Sequence, residues 1–109
     1  MKEVRIEYFS RFLDKEIVTE PHVIKFYSDT CHLCVELQKD FKKLIKDLSN
    51  EYKFVKVDIN KEEKLADLFS SDGVPTVIMY RDGDFHEIEY PDKGYSYEYL
   101  TEQLTKGNQ

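Results

Sequence analysis

Ser28-Asp-Thr-Cys-His-Leu-Cys-Val-Glu36 holds both cysteines of the chain, Cys31 and Cys34, with two residues between them. A disulfide there would close a very small ring, constrain the unfolded chain little and add little stability. The spacing points to chemistry, and its flanks say where that chemistry would sit. Upstream, His22 to Ser28 (HVIKFYS) is dense in β-branched and aromatic residues, with apolar side chains on both faces. That is the pattern of a buried central strand. Downstream, Cys34, Leu37, Phe41, Leu44, Ile45 and Leu48 recur at helical spacing, with only Gln38 polar in the stripe. The stripe predicts a long amphipathic helix, with Asp29 or Thr30 as its N-cap. The cysteine pair is expected where a strand passes into a helix.

Working outward, residues 3–6 alternate and predict a short strand. Residues 8–17 carry Phe9, Phe12, Leu13 and Ile17 at helical spacing. Lys53 to Ile59 (KFVKVDI) reads as a second buried strand. Asn60 to Glu63 offers a capping-box pattern, placing Leu65, Leu68 and Phe69 on the inner face of a short helix. Val74 to Tyr80 reads as a strand with Pro75 near its start, where proline is tolerated. Asp82-Gly83 is a strong hairpin signal, and Phe85 to Tyr90 would return antiparallel. Ser96 is placed to cap a last helix carrying Tyr97, Leu100 and Leu104. The predicted order is β-α-β-α-β-α-β-β-α within one domain, residues 1–109.

Bulk properties narrow the function. At 109 residues the chain can bury a core without staples, and 40% of it is hydrophobic. The net charge of −6 argues against sequence-independent binding to nucleic acid or to an anionic membrane. The opening MKEVRIEYFS has no apolar signal region, so a cytoplasmic location is the default expectation; the chain is separately expected to be a monomer. In a reducing compartment a lone cysteine pair is catalytic or metal-binding before it is structural. Zinc wants four ligands, and His22, His32 and His86 show no finger spacing. Cys31, at the helix mouth, is the expected nucleophile. Cys34 begins the apolar stripe and is the expected resolving thiol.

Taken with Gly73-Val-Pro-Thr76, the Cys-His-Leu-Cys motif resembles the active-site pair of the thioredoxin family. The hairpin and closing helix fall in family order, and the resemblance covers essentially the whole chain. It implies an α/β fold: a central mixed sheet, a parallel half plus a C-terminal antiparallel hairpin, flanked by helices on both faces. It implies a thiol–disulfide oxidoreductase of disulfide-containing proteins, recharged by a flavin-dependent thioredoxin reductase and needing no bound cofactor. It further implies a cis bond before Pro75, and a Val74 backbone presented to an extended substrate.

The chain also departs from that family. Thr30 stands where a tryptophan is usual, and His32-Leu33 replaces Gly-Pro. The groove glycine has no clear match, with Pro91 and Gly94 flanking its place. A protonated His32 would stabilise a Cys31 thiolate and the reduced form; otherwise it is a solvated loop histidine. Lys25 occupies the position of the family's buried acid. As a cation it would stabilise a Cys34 thiolate, as a free amine it would take the Cys34 proton, or its stem would reach the strand end and leave the site alone. Lys56 and Asp58 share one face of the neighbouring strand, so Asp58 is the expected countercharge. Tyr90, Tyr95, Tyr97 and Tyr99 form either a partner surface or packing against the sheet. Two other functions compete: a glutaredoxin-like hydrogen donor, for instance to ribonucleotide reductase, and a redox-quiet assembly module.

Overall fold

Alternation in the central strands creates two cores. The computed structural model describes residues 1–14 and 18–106. The elements are β1 (Lys2–Glu3), α1 (Ile6–Phe9), a 3-10 turn (Ser10–Leu13), β2 (His22–Tyr27), α2 (His32–Leu48), β3 (Lys53–Asp58), α3 (Glu63–Phe69), β4 (Thr76–Arg81), β5 (Asp84–Ile88) and α4 (Tyr97–Thr105). They build one sheet of order β1-β3-β2-β4-β5. β1 and β2 run parallel to β3, whereas β2–β4 and β4–β5 are antiparallel. Val23 of β2 points into a core with Leu37, Phe41 and Leu44 of α2 and Leu100 and Leu104 of α4. Its neighbours Ile24 and Phe26 point the other way, onto Phe9, Phe12 and Leu65. The sheet is thus covered on both faces, and the expected mixed architecture holds.

The hairpin forms as its residues require. Asp82 and Gly83 both take positive φ, 56° and 82°, which a two-residue turn matched to strand twist demands. Ser96 caps α4, its Oγ accepting the Tyr99 N–H at 3.1 Å.

Three local expectations change. The first strand is Lys2–Glu3 and not residues 3–6: Val4 turns into the core after its N–H reaches the Lys56 carbonyl at 2.8 Å. The single helix expected over 8–17 becomes a four-residue α1 and a 3-10 turn, with Leu13 88% exposed. Phe9 and Phe12, three apart, suit the tighter winding, which stacks positions i and i+3; Ile17 lies outside the described residues. The capping box at Asn60–Glu63 does not form. The Asn60 N–H donates to Asp58 Oδ1 at 2.9 Å, and Glu62 becomes the N-cap residue, with no side-chain cap. Its carboxylate instead accepts the Ile6 N–H and pairs with Arg5 at 3.4 Å, so a tertiary contact takes the acid. Leu68 faces outward, 76% exposed, while Leu65 is buried.

His22 is buried and bonded at both ring nitrogens. Tyr8 Oη lies 2.6 Å from Nε2, to which it donates when the ring is neutral, and Nδ1–H donates to the Glu20 carbonyl at 2.8 Å. Burial pushes its pKa below the usual value, outweighing the opposing pull of the Glu20 carbonyl; Lys53 adds to the downward push. The unfolded chain therefore binds the proton more readily, so stability is complete above about pH 6.5 and declines as pH falls below it. Urea midpoints are expected to drop through that window in the wild type and less steeply in His22→Gln. Parallel slopes would refute the assignment.

Candidate active site

The end of β2 sets the geometry. Beyond Tyr27 the chain turns through Ser28, a buried residue whose Oγ lies 3.0 Å from Thr30 Oγ1 and accepts from the Thr30 N–H and from Asn60 Nδ2 at 3.2 Å. The Cys31 N–H donates to the Ser28 carbonyl at 3.1 Å, closing the turn. The residue that caps α2 is neither Asp29 nor Thr30 but Cys31 itself. Its sulfur accepts the Cys34 N–H at 3.1 Å. An amide left open by the start of the helix is thus aimed at the sulfur, an arrangement that favours negative charge there. The same sulfur lies 3.7 Å from the Val74 carbonyl, and the Val74–Pro75 bond is cis.

Cys31 is half-buried and Cys34 buried, both as free thiols. The Cys34 thiol is pushed up to about 12, first by burial and next by its hydrogen bond with Cys31. The Ser28 backbone and the charge of Lys25 pull in the other direction.

Lys25 does not reach the strand end. It is 4% exposed, on the α2 face of β2, directly opposite Lys56 in the strand register. Among the described residues its amine has no hydrogen bond or ion pair. Its Nζ lies 4.8 Å from the centroid of the Phe41 ring and 5.9 Å from that of Tyr27. With Cys34, Ser28, Gln38 and Lys56 it lines a cleft of about 170 Å³. Burial lowers its pKa, Cys34 opposes the shift, and Lys56 adds to it. Asp58, the expected countercharge, is buried but bonds the Asn60 N–H instead. Lys56 Nζ stands 5.2 Å from the Tyr27 ring, so aromatic faces take the place a carboxylate would fill.

His32 is turned outward. Its Nε2 is 3.0 Å from Glu36 Oε1, and its side chain is 84% exposed. Leu33 is 48% exposed and joins Pro75 in walling the surface beside the cysteines. Sequence reading missed Ser28 as the hub of the turn. Its signal was a small hydroxyl directly after a buried strand, a position where side chains bond to nearby backbone. Among the described residues no group of three or more His, Cys, Asp and Glu side chains is placed to hold a metal ion, and no helix is long and apolar enough to cross a membrane.

Comparison with known proteins gives one picture. A family model described as Thioredoxin matches residues 1–106. Thioredoxin from Borreliella burgdorferi is 34% identical over 59 residues, covering 54% of this chain and 50% of that protein. Protein disulfide-isomerase A4 from Homo sapiens is 31% identical over 94 residues, covering 81% of this chain and 15% of that protein. The chain spans half or less of the length of these curated relatives. Two solved structures share the fold. Mitochondrial thioredoxin 3 from Saccharomyces cerevisiae has TM-score 0.78 at 24% identity, covering 96% of this chain and 93% of that one. Fasciola hepatica thioredoxin has TM-score 0.78 at 23% identity, covering 97% and 98%.

Proposed function

The chain belongs to the thioredoxin family, and from that premise we propose that it is a protein thiol–disulfide oxidoreductase acting as a disulfide reductase. The observation that carries the reading is the Cys31 sulfur, which caps α2 within 3.7 Å of the Val74 carbonyl, with buried Cys34 one turn along. The Cys31 thiolate attacks a substrate disulfide, forming a mixed disulfide and releasing one substrate thiol. Cys34 then loses its proton and attacks Cys31. The second substrate thiol leaves, and Cys31–Cys34 remains as a disulfide. Two electrons and two protons pass to the substrate. The extended segment of that substrate lies against the Val74 backbone, beside Pro75 and Thr30. Lys25 governs the proton of Cys34, with Lys56 setting the local charge.

A reductant must then restore the dithiol. A thioredoxin reductase is the proposed partner, in a reducing compartment such as the cytoplasm. The test is reduction of insulin by dithiothreitol. The protein is expected to accelerate it, and no acceleration would favour a redox-quiet assembly module. Recycling by thioredoxin reductase and not by glutathione separates this reading from a glutaredoxin-like donor.

A further inference from the structure

Two grooves of about 240 and 390 Å³ lie against Pro75 and share Leu33, Tyr90 and Tyr95 as walls. Their apolar part is built with care. Tyr95 is fixed from both sides, its Oη donating to the Ile88 carbonyl at 2.6 Å and accepting the Val77 N–H at 3.3 Å. Tyr90 packs edge-on against it, centroids 4.9 Å apart, and keeps 44% of its surface open. Gly94 permits this, since its φ is +82° and a Cβ there would come within 3.0 Å of Tyr90 Oη. The result is a rigid aromatic wall whose free face looks into both grooves.

The rim is strongly one-sided. Glu36 and Asp40 stand along one groove and Asp72, Glu87 and Glu89 along the other, against Lys93 as the sole lysine or arginine among the described residues lining either. His32 is already engaged by Glu36, and Asp40 accepts the Tyr97 N–H at 3.0 Å. Most of the chain's net charge of −6 is therefore gathered where a substrate must approach. Carboxylates around an open tyrosine face suit one kind of side chain, a lysine or arginine lying on the ring with its charge toward the acids.

We propose that this surface selects disulfide-bearing polypeptide segments with lysine or arginine beside the cysteine, and disfavours acidic ones. The inference rests on the oxidoreductase reading for its chemistry, but not for its binding. The test uses twin peptides that differ only in having Lys or Glu at the residues flanking the cysteine. One pair carries a disulfide; the other has serine for cysteine and cannot react. At low salt the basic twin is expected to be reduced about tenfold faster, a gap that narrows toward unity as salt screens it. The serine twins are expected to bind with the same order of preference, read as chemical-shift changes at Leu33 and Tyr90. Glu87→Lys with Glu89→Lys, its fold checked by circular dichroism, should reverse the ratio. Equal binding of the serine twins, or a ratio unmoved by that charge reversal, would overturn the proposal. Preferred binding of the basic twin with no reduction of either disulfide would leave the groove assignment standing and refute the oxidoreductase.

Discussion

Cys34→Ser is expected to stop turnover at a covalent halfway point. The variant keeps the Cys31 sulfur at the N-terminus of α2 and within reach of the Val74 carbonyl, so attack on a substrate disulfide proceeds. Release then fails, because no second sulfur stands one turn along. Resolution by a thiol held in place gains the advantage of an intramolecular reaction, so losing it should cost about a thousandfold or more in steady-state reduction. Mass spectrometry should find the enzyme joined to one substrate chain through Cys31. Cys31→Ser should form no adduct and fall to the uncatalysed rate, since its remaining thiol is buried and that burial raises its pKa. Should Cys31→Ser be the variant that traps substrate, the roles of the two sulfurs are reversed.

Legibility in the sequence followed the length scale of the interactions. The buried strands and α2 were readable because period-2 and period-3.6 patterns report which faces are covered. The hairpin was readable because Asp82-Gly83 states its backbone conformation locally. Two of the failures lie where a side chain takes another partner than its pattern suggests. Glu62 looked like part of a local capping box but serves α1 across the fold. Asp58 looked like the countercharge of Lys25, since both lie on the same face of the sheet, yet its carboxylate bonds the next turn. The N-cap of α2 was misplaced for a different reason: cap preferences are built on oxygen side chains, and here a thiol holds the position. The cysteine motif itself was legible, but the acidic rim was not, because its carboxylates come from α2, the turn before Pro75, β5 and the residue that follows it.

Lys25→Met is expected to strengthen the fold while slowing the chemistry. A lysine 4% exposed, with no acid paired to it among the described residues, loses its hydration without full return. Methionine fills the same space without a charge, so the variant should gain about 1 to 3 kcal/mol in urea unfolding. The pH dependence has a fixed sign. The folded pKa of Lys25 is lowered by burial, so between the folded and unfolded values the unfolded state holds more protons. The penalty is complete below the folded pKa and fades as pH rises toward the free-lysine value of about 10.4. The advantage of the variant should shrink over that range. The chemical cost follows from Cys34. Burial holds the Cys34 thiol in its protonated form, and the charge of Lys25 is among the influences that pull its pKa down. Without it, the rate of Cys34 attack on a preformed mixed disulfide should fall about tenfold or more, with its pH profile moved upward. Lys25→Arg divides the two ways the amine could act. Arginine holds a charge but cannot give up its proton, so full recovery identifies electrostatic support, and no recovery identifies the amine as acceptor of the Cys34 proton. A Lys25→Met enzyme with an unchanged resolution rate and profile would leave the buried lysine without a role in the exchange.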